Sequence, residues 1–191
     1  MIYLEEWEWL DPRKALESPR EFVAFWSSQY RYSNQRFYDE NVGKDLTVER
    51  VLKLFAWKNG RGETIAPKKR RSIETNYLPE LNRLPILSRI EDGQRYLGSL
   101  QGGAIWGIFW LHLINYKLFP IFDQNTYRSM AAIIGLKPTE IPQYNPRKID
   151  AYFTQYIPFL KRFNGLSERT VDQALFAYGQ ALRRRSRKNS N

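Results

Sequence analysis

The 191-residue sequence contains no cysteine and a single histidine, His112. The first absence excludes a disulfide framework, a cysteine nucleophile, and thiolate-held zinc or iron–sulfur clusters. The second excludes a His-rich catalytic metal site, and neither a metal nor a cofactor is expected. Long apolar runs are missing too: the longest, Ala104 to Ile114, is too short to span a bilayer, so no membrane role is expected. No stretch alternates apolar and polar residues convincingly enough for strands, and no repeat of fixed period is visible. Met1 to Asp11 carries three Glu and no basic, apolar signal. The expectation is therefore no secretory leader and a cytoplasmic, nucleoid-associated location.

Acidic residues are also in short supply, 20 Asp and Glu against 30 Lys and Arg, for a formal net charge of +10. A balance this basic suits a polyanionic partner, because cations that neutralise phosphates release condensed counterions. What is abundant is aromatic: six Trp, twelve Tyr and eleven Phe, far too many for a disordered chain. The length suits one domain with a substantial core, expected over 1–182 in a monomeric protein and followed by a basic, disordered tail over 183–191.

Helix punctuation is dense, and the fold class expected is all-α, a compact multi-helix domain. Ser18-Pro19-Arg20-Glu21 reads as a capping box opening a helix to about Ser27. Asp45 reads as the N-cap of a helix carrying Val48, Val51, Leu52 and Phe55 and ending near Trp57. Lys58 to Gly62 breaks the chain, and Pro67 restarts it with the basic run Lys68-Lys69-Arg70-Arg71. Pro79 and Pro85 cut the next stretch into short helices, the second reaching about Asp92-Gly93. Leu97 to Gly103 reads as a tight turn feeding the apolar helix Ala104 to about Tyr116. Further helices are expected from Asp123 to a C-terminal cap at Gly135, after Asn145-Pro146, and after Ser167.

Three features carry candidate chemistry. The glycines of Gly98-Ser99-Leu100-Gln101-Gly102-Gly103 permit either close packing of two helices or close approach to a phosphate at a helix N-terminus. The turn is no Walker loop, since Gly-Lys-Ser/Thr is absent. The next helix is apolar on nearly all faces and hence central, with Trp106, Phe109, Trp110 and Leu113 sharing one face. That face is core, or in part an aromatic cleft that stacks an extruded base. His112 reads as a satisfied buried histidine, with no triad partners at readable spacing. Asp123, in Phe119-Pro-Ile-Phe-Asp-Gln-Asn-Thr-Tyr127-Arg128, is placed to accept the N–H groups of Asn125 or Thr126 as an N-cap. An oriented carboxylate is equally what cleavage of a glycosidic bond requires, where the transition state is oxocarbenium-like. Both roles stay open on the residues alone.

Gly98 to Gly103, the buried helix, and Phe-Pro-Ile-Phe-Asp followed by Tyr127-Arg128 together resemble the helix-hairpin-helix DNA glycosylase superfamily, in its compact 8-oxoguanine-glycosylase-like branch. The resemblance covers Leu97 to Gly135. It implies a hairpin at about 97–104 that binds DNA backbone, a catalytic loop at about 118–124, and Asp123 as the catalytic residue. Bifunctional members place a lysine nucleophile in the hairpin. Gln101 to Ala104 contains none, which implies a monofunctional enzyme, without lyase activity, that leaves an abasic site. The hairpin also departs from the usual Leu-Pro-Gly-Val-Gly form that holds a cation in the family.

The function so implied is flipping of a damaged or modified base out of double-stranded DNA and hydrolysis of its N-glycosidic bond, in base-excision repair or in defence against modified phage DNA. The substrate pocket is expected to involve Trp57, Trp106, Trp110, Gln124 and Tyr127. DNA contacts are expected from Gly98, Ser99, Gln101, Gly102, Gly103, Lys68, Lys69, Arg70, Arg71 and Arg128, with Arg147-Lys148 and Lys161-Arg162 as further basic clusters. The rival readings are a non-catalytic helix-hairpin-helix module, a lesion sensor or regulator in which Asp123 is only a cap, and a helical protein-interaction domain.

Overall fold

A computed structural model describes residues 8–60, 64–137 and 139–188. Among them the chain is all-helical, with no strand, and no helix is long and apolar enough to cross a membrane. The α-helices are α1 (Lys14–Glu17), α2 (Pro19–Ser28), α3 (Gln35–Asp39), α4 (Val48–Asn59), α5 (Pro67–Asn76), α6 (Ile90–Ser99), α7 (Ala104–Ile114), α8 (Gln124–Ile133), α9 (Asn145–Asp150), α10 (Ile157–Leu160) and α11 (Glu168–Lys188). A 3-10 segment, Leu78–Arg83, follows α5, and a π-helical turn, Ala151–Tyr156, joins α9 to α10. Pro158 gives a reason for that turn: it has no N–H for the carbonyl of Thr154 and its ring crowds that carbonyl, which a wider turn relieves.

The described residues group into two compact units. A central unit comprises Tyr32–Ile121, and a second is formed by the described residues of Met1–Arg31 and Phe122–Asn191. Each unit has buried aromatics of its own. In the central unit α7 is the hub, and Phe109, Trp110 and Leu113 bury against Val51, Leu54, Phe55 and Trp57 of α4 and Ile73 of α5. Its His112 is satisfied and buried: Nδ1 lies 2.7 Å from the Phe119 carbonyl oxygen and Nε2 2.8 Å from the Tyr38 hydroxyl. A carbonyl can only accept, so Nδ1 carries the hydrogen, and in the neutral ring Nε2 accepts from Tyr38. This fixes the chain at Phe119.

In the second unit the long helix α11 packs on α2 and α8. Tyr178 meets Phe22 and Trp26 with ring centroids 5.1 and 5.3 Å apart, separations at which tilted aromatic pairs attract. Gly179 takes the α8 contact: a Cβ there would lie 2.1 Å from the Asn125 carbonyl oxygen. Only glycine lets the two backbones approach so closely.

Several local expectations are corrected. Ser18 makes no side-chain cap bond, so the capping box does not form. Thr47, not Asp45, caps α4 through the Arg50 N–H, 3.3 Å away. α6 runs through Gly93 and Gly98, shortening the connection to Leu100–Gly103. At Gly93 the missing side chain is filled by Phe119, whose ring would lie 2.3 Å from a Cβ. α11 continues to Lys188, through most of the expected tail, because Arg is a good helix former and cations suit a helix C-terminus. Residues 189–191 of that expected tail lie outside the described residues.

Candidate functional site

Asp123 is the residue around which the second unit offers chemistry. Its backbone is extended, and its Oδ1 accepts hydrogen bonds from Asn125 N at 2.8 Å and Thr126 N at 3.1 Å. Thr126 Oγ1 returns the favour by accepting from Asp123 N at 3.0 Å, completing a reciprocal cap. Such a cap takes up two of the unpaired N–H groups at the start of α8 and leaves the carboxylate with one orientation. Behind it, Phe122 is buried against Tyr127, Tyr152 and Tyr156, with ring centroids 6.2, 5.3 and 5.0 Å away. Asp123 itself is half-buried, so the carboxylate sits at the edge of an aromatic cluster.

The far end of α8 is closed as the sequence reading expects. Gly135 has φ +73°, and Leu136 N donates to the Ala131 carbonyl at 2.8 Å, a terminus that glycine permits without steric cost. The first turn is braced from the side as well. Gln124 Oε1 accepts from Ile141 N at 3.0 Å, while its Nε2 is buried without a partner.

Arg128 does not fit its expected role in DNA contact. It is only 5 % exposed. Its guanidinium donates to Asn125 Oδ1 at 3.0 Å, the Gly179 carbonyl at 3.3 Å and Glu140 Oε1 at 2.8 Å. Arg128 is a clamp that ties α8 to α11 and to the segment beyond α8. Tyr127 is likewise a core residue, and burial raises its phenol above the usual range.

The remaining expected site residues belong to the central unit. Trp57 and Trp110 are buried core members, so neither presents a face to a ligand. Trp57 packs on Tyr32, Tyr38 and Phe109, and Trp110 Nε1 donates to the Tyr96 hydroxyl at 3.2 Å. Trp106, on the first turn of α7, is only partly buried. Lys69 Nζ lies 5.8 Å from its ring centroid and donates to Asn59 Oδ1 at 2.6 Å, a cation held against an aromatic face.

The connection Leu100–Gly103 is open to solvent. Gln101, Gly102 and Gly103 are exposed, as are Gly98 and Ser99 at the end of α6. Of these glycines Gly102 alone has a positive φ, +122°. A Cβ there would lie 2.9 Å from the Tyr77 hydroxyl and 3.4 Å from Asn76 Nδ2, so the connection rests on the C-terminal end of α5. The same helix carries Lys68, Lys69, Arg70 and Arg71, all exposed. Arg70 pairs with Glu74 at 2.8 Å; Lys68 and Arg71 pair with no carboxylate among the described residues. The central unit thus joins the exposed turn, the partly buried Trp106 and the basic run on one pair of adjoining elements.

Sequence reasoning missed Gly179 and Glu140, two of the three residues that accept from Arg128. Both act through contacts distant in the chain, and neither stands in a pattern that local periodicity would single out. Among the described residues no group of His, Asp and Glu could hold a metal ion. No protein-family model, curated protein or solved structure matches this chain.

Proposed function

We propose that this protein is a monofunctional DNA glycosylase that hydrolyses the N-glycosidic bond of a damaged or modified base, with Asp123 as the catalytic carboxylate. The observation that carries the reading is the reciprocal cap at Asp123: a half-buried carboxylate whose direction is set by two backbone N–H groups before any substrate arrives. Pre-set orientation matters because a carboxylate aimed at a developing oxocarbenium ion needs no reorganisation during reaction. In the step proposed, the C–N bond to the base breaks and its electron pair leaves with the base. Water, oriented by Asp123, adds to the sugar carbon, and the proton it loses ends on the departing base, which leaves neutral. The product is an abasic site, and with no lysine in Gln101 to Ala104 no Schiff base is assigned.

α6, Leu100–Gly103 and α7 are read as a helix-hairpin-helix element, with the exposed turn and the run Lys68 to Arg71 contacting DNA backbone. Their exposure and the net charge of +10 support this part of the reading. A base in the duplex must be extruded before its glycosidic bond is reached, at a cost of about a few kcal/mol that is least for a damaged or mispaired base.

The rival is a non-catalytic DNA-binding module, favoured by the fact that capping accounts for the hydrogen bonds that Asp123 accepts from Asn125 N and Thr126 N. Incubation with duplexes carrying oxidised, alkylated, mismatched or deliberately modified bases separates the two. The glycosylase reading expects alkali-labile sites in at least one duplex. Salt-sensitive binding with no such sites in any duplex leaves the binding module.

A further inference from the structure

The segment after α8 holds an exposed aromatic ring on a braced backbone, and no part of the reading above uses it. Tyr144 is 67 % exposed. Its backbone is extended, and its carbonyl accepts from Lys148 N at 3.1 Å, so the residue heads α9. Glu140 is held by Arg128 at 2.8 Å, and Ile141 N donates to Gln124 Oε1 at 3.0 Å. Lys148 Nζ folds back to the Gln143 carbonyl at 2.8 Å. Pro142 and Pro146 restrict the backbone on either side. Arg147, one position past Pro146, is exposed and pairs with no carboxylate among the described residues.

Exposed tyrosines are common, but a ring presented on a segment tied at three places is not free to be placed anywhere. A ring held in advance loses little freedom when something stacks on it. The anchor is informative too, because Gln124 is the residue next to Asp123, and Ile141 lies three positions from Tyr144. Three residues span at most about 10 Å, so Tyr144 stays in the neighbourhood of the first turn of α8. A π-face with an unpaired guanidinium close by in sequence is the combination that takes a base and its phosphate: the ring stacks on any base, and the cation holds the backbone.

We propose that Tyr144 and Arg147 form a stacking contact for an unpaired base, taking a nucleotide that flanks the one at Asp123. The inference rests on the glycosylase reading for its partner, DNA, and is tested by binding rather than by excision. The probes are two fluorescently labelled duplexes of the same sequence, one fully paired and one with a single unpaired nucleotide, followed by anisotropy. The wild-type protein is expected to favour the unpaired-nucleotide duplex. Tyr144→Ala is expected to lose that preference through at least about a five-fold weakening on this duplex, the low end of base–aromatic stacking. Tyr144→Phe, which keeps the ring, is expected to retain it. Arg147→Gln is expected to weaken both duplexes and to lower the salt dependence of binding by about one phosphate contact.

Unchanged preference in Tyr144→Ala, or its loss in Tyr144→Phe to the same extent, overturns the assignment. If wild type excises a base while Tyr144→Ala binds unaltered, the stacking contact alone fails. If wild type binds neither duplex, the DNA reading fails and the contact falls with it.

Discussion

Gly179 lies against the backbone of Asn125 so closely that a Cβ at position 179 would come within 2.1 Å of the Asn125 carbonyl oxygen. Asn125 stands in the turn that Asp123 caps. The packing of α11 and the orientation of the carboxylate are therefore linked through one absent side chain.

That link makes Gly179→Ala a direct probe. In an exposed helix interior alanine would stabilise by about 1 kcal/mol. Here the nearest atoms are backbone, which cannot swing aside, and overpacking of this kind costs about 1–3 kcal/mol. The steric effect wins. Urea unfolding should show a lower midpoint with an unchanged slope, and excision should fall as the first turn of α8 shifts. A gain in stability would show that the two helices do not meet as described.

Arg128 offers a contrast between clamp and phosphate ligand. Arg128→Gln removes donors from the Gly179 carbonyl and from Asn125 Oδ1 in a buried setting, at a cost of about 1–3 kcal/mol. Unfolding measurements should record that loss, while the salt dependence of DNA binding stays as in wild type. An exposed phosphate ligand would do the reverse, leaving stability unchanged and lowering the salt slope by about one contact.

Alkaline pH tests the aromatic cores. Burial pushes Tyr30 and Tyr96 up to about 12, and raises Tyr77, Tyr152, Tyr156 and Tyr178 as well. A folded value above the unfolded one, near 10, contributes stability that is fully present below about pH 10. It is lost as pH rises through the folded values. The tyrosinate absorbance of these buried rings should therefore appear late, together with the loss of helical circular dichroism. A single stage near pH 10 with the helices intact would contradict the burial of these rings.

What was legible in the sequence is what local chemistry decides. Asp123 as an N-cap, Gly135 as a C-terminal stop, the helix starts at Pro67 and beside Pro146, and a satisfied His112 all rest on residues a few positions apart or on burial of an apolar helix. What was not legible depends on partners far along the chain. Arg128 beside Tyr127 reads as a surface cation until the Gly179 carbonyl, 51 positions away, is brought to it. Gly93 reads as a helix end and Gly98 as a turn residue, yet α6 runs through both, and at Gly93 the vacancy is filled by Phe119. Trp57 and Trp110 share the aromatic character of a base pocket and differ from one only in being enclosed. Trp106, partly buried, and the exposed run Lys68 to Arg71 lie on elements that adjoin in the central unit.

The central claim is that Asp123 performs the cleavage, and the measurement that tests it is single-turnover excision by Asp123→Asn on a modified duplex that wild type cleaves. Asparagine caps a helix about as well as aspartate, so folding and DNA affinity should remain within about two-fold of wild type. Excision should fall by orders of magnitude, because the neutral amide cannot stabilise an oxocarbenium ion. Full activity in Asp123→Asn would show that the residue is a helix cap and nothing more.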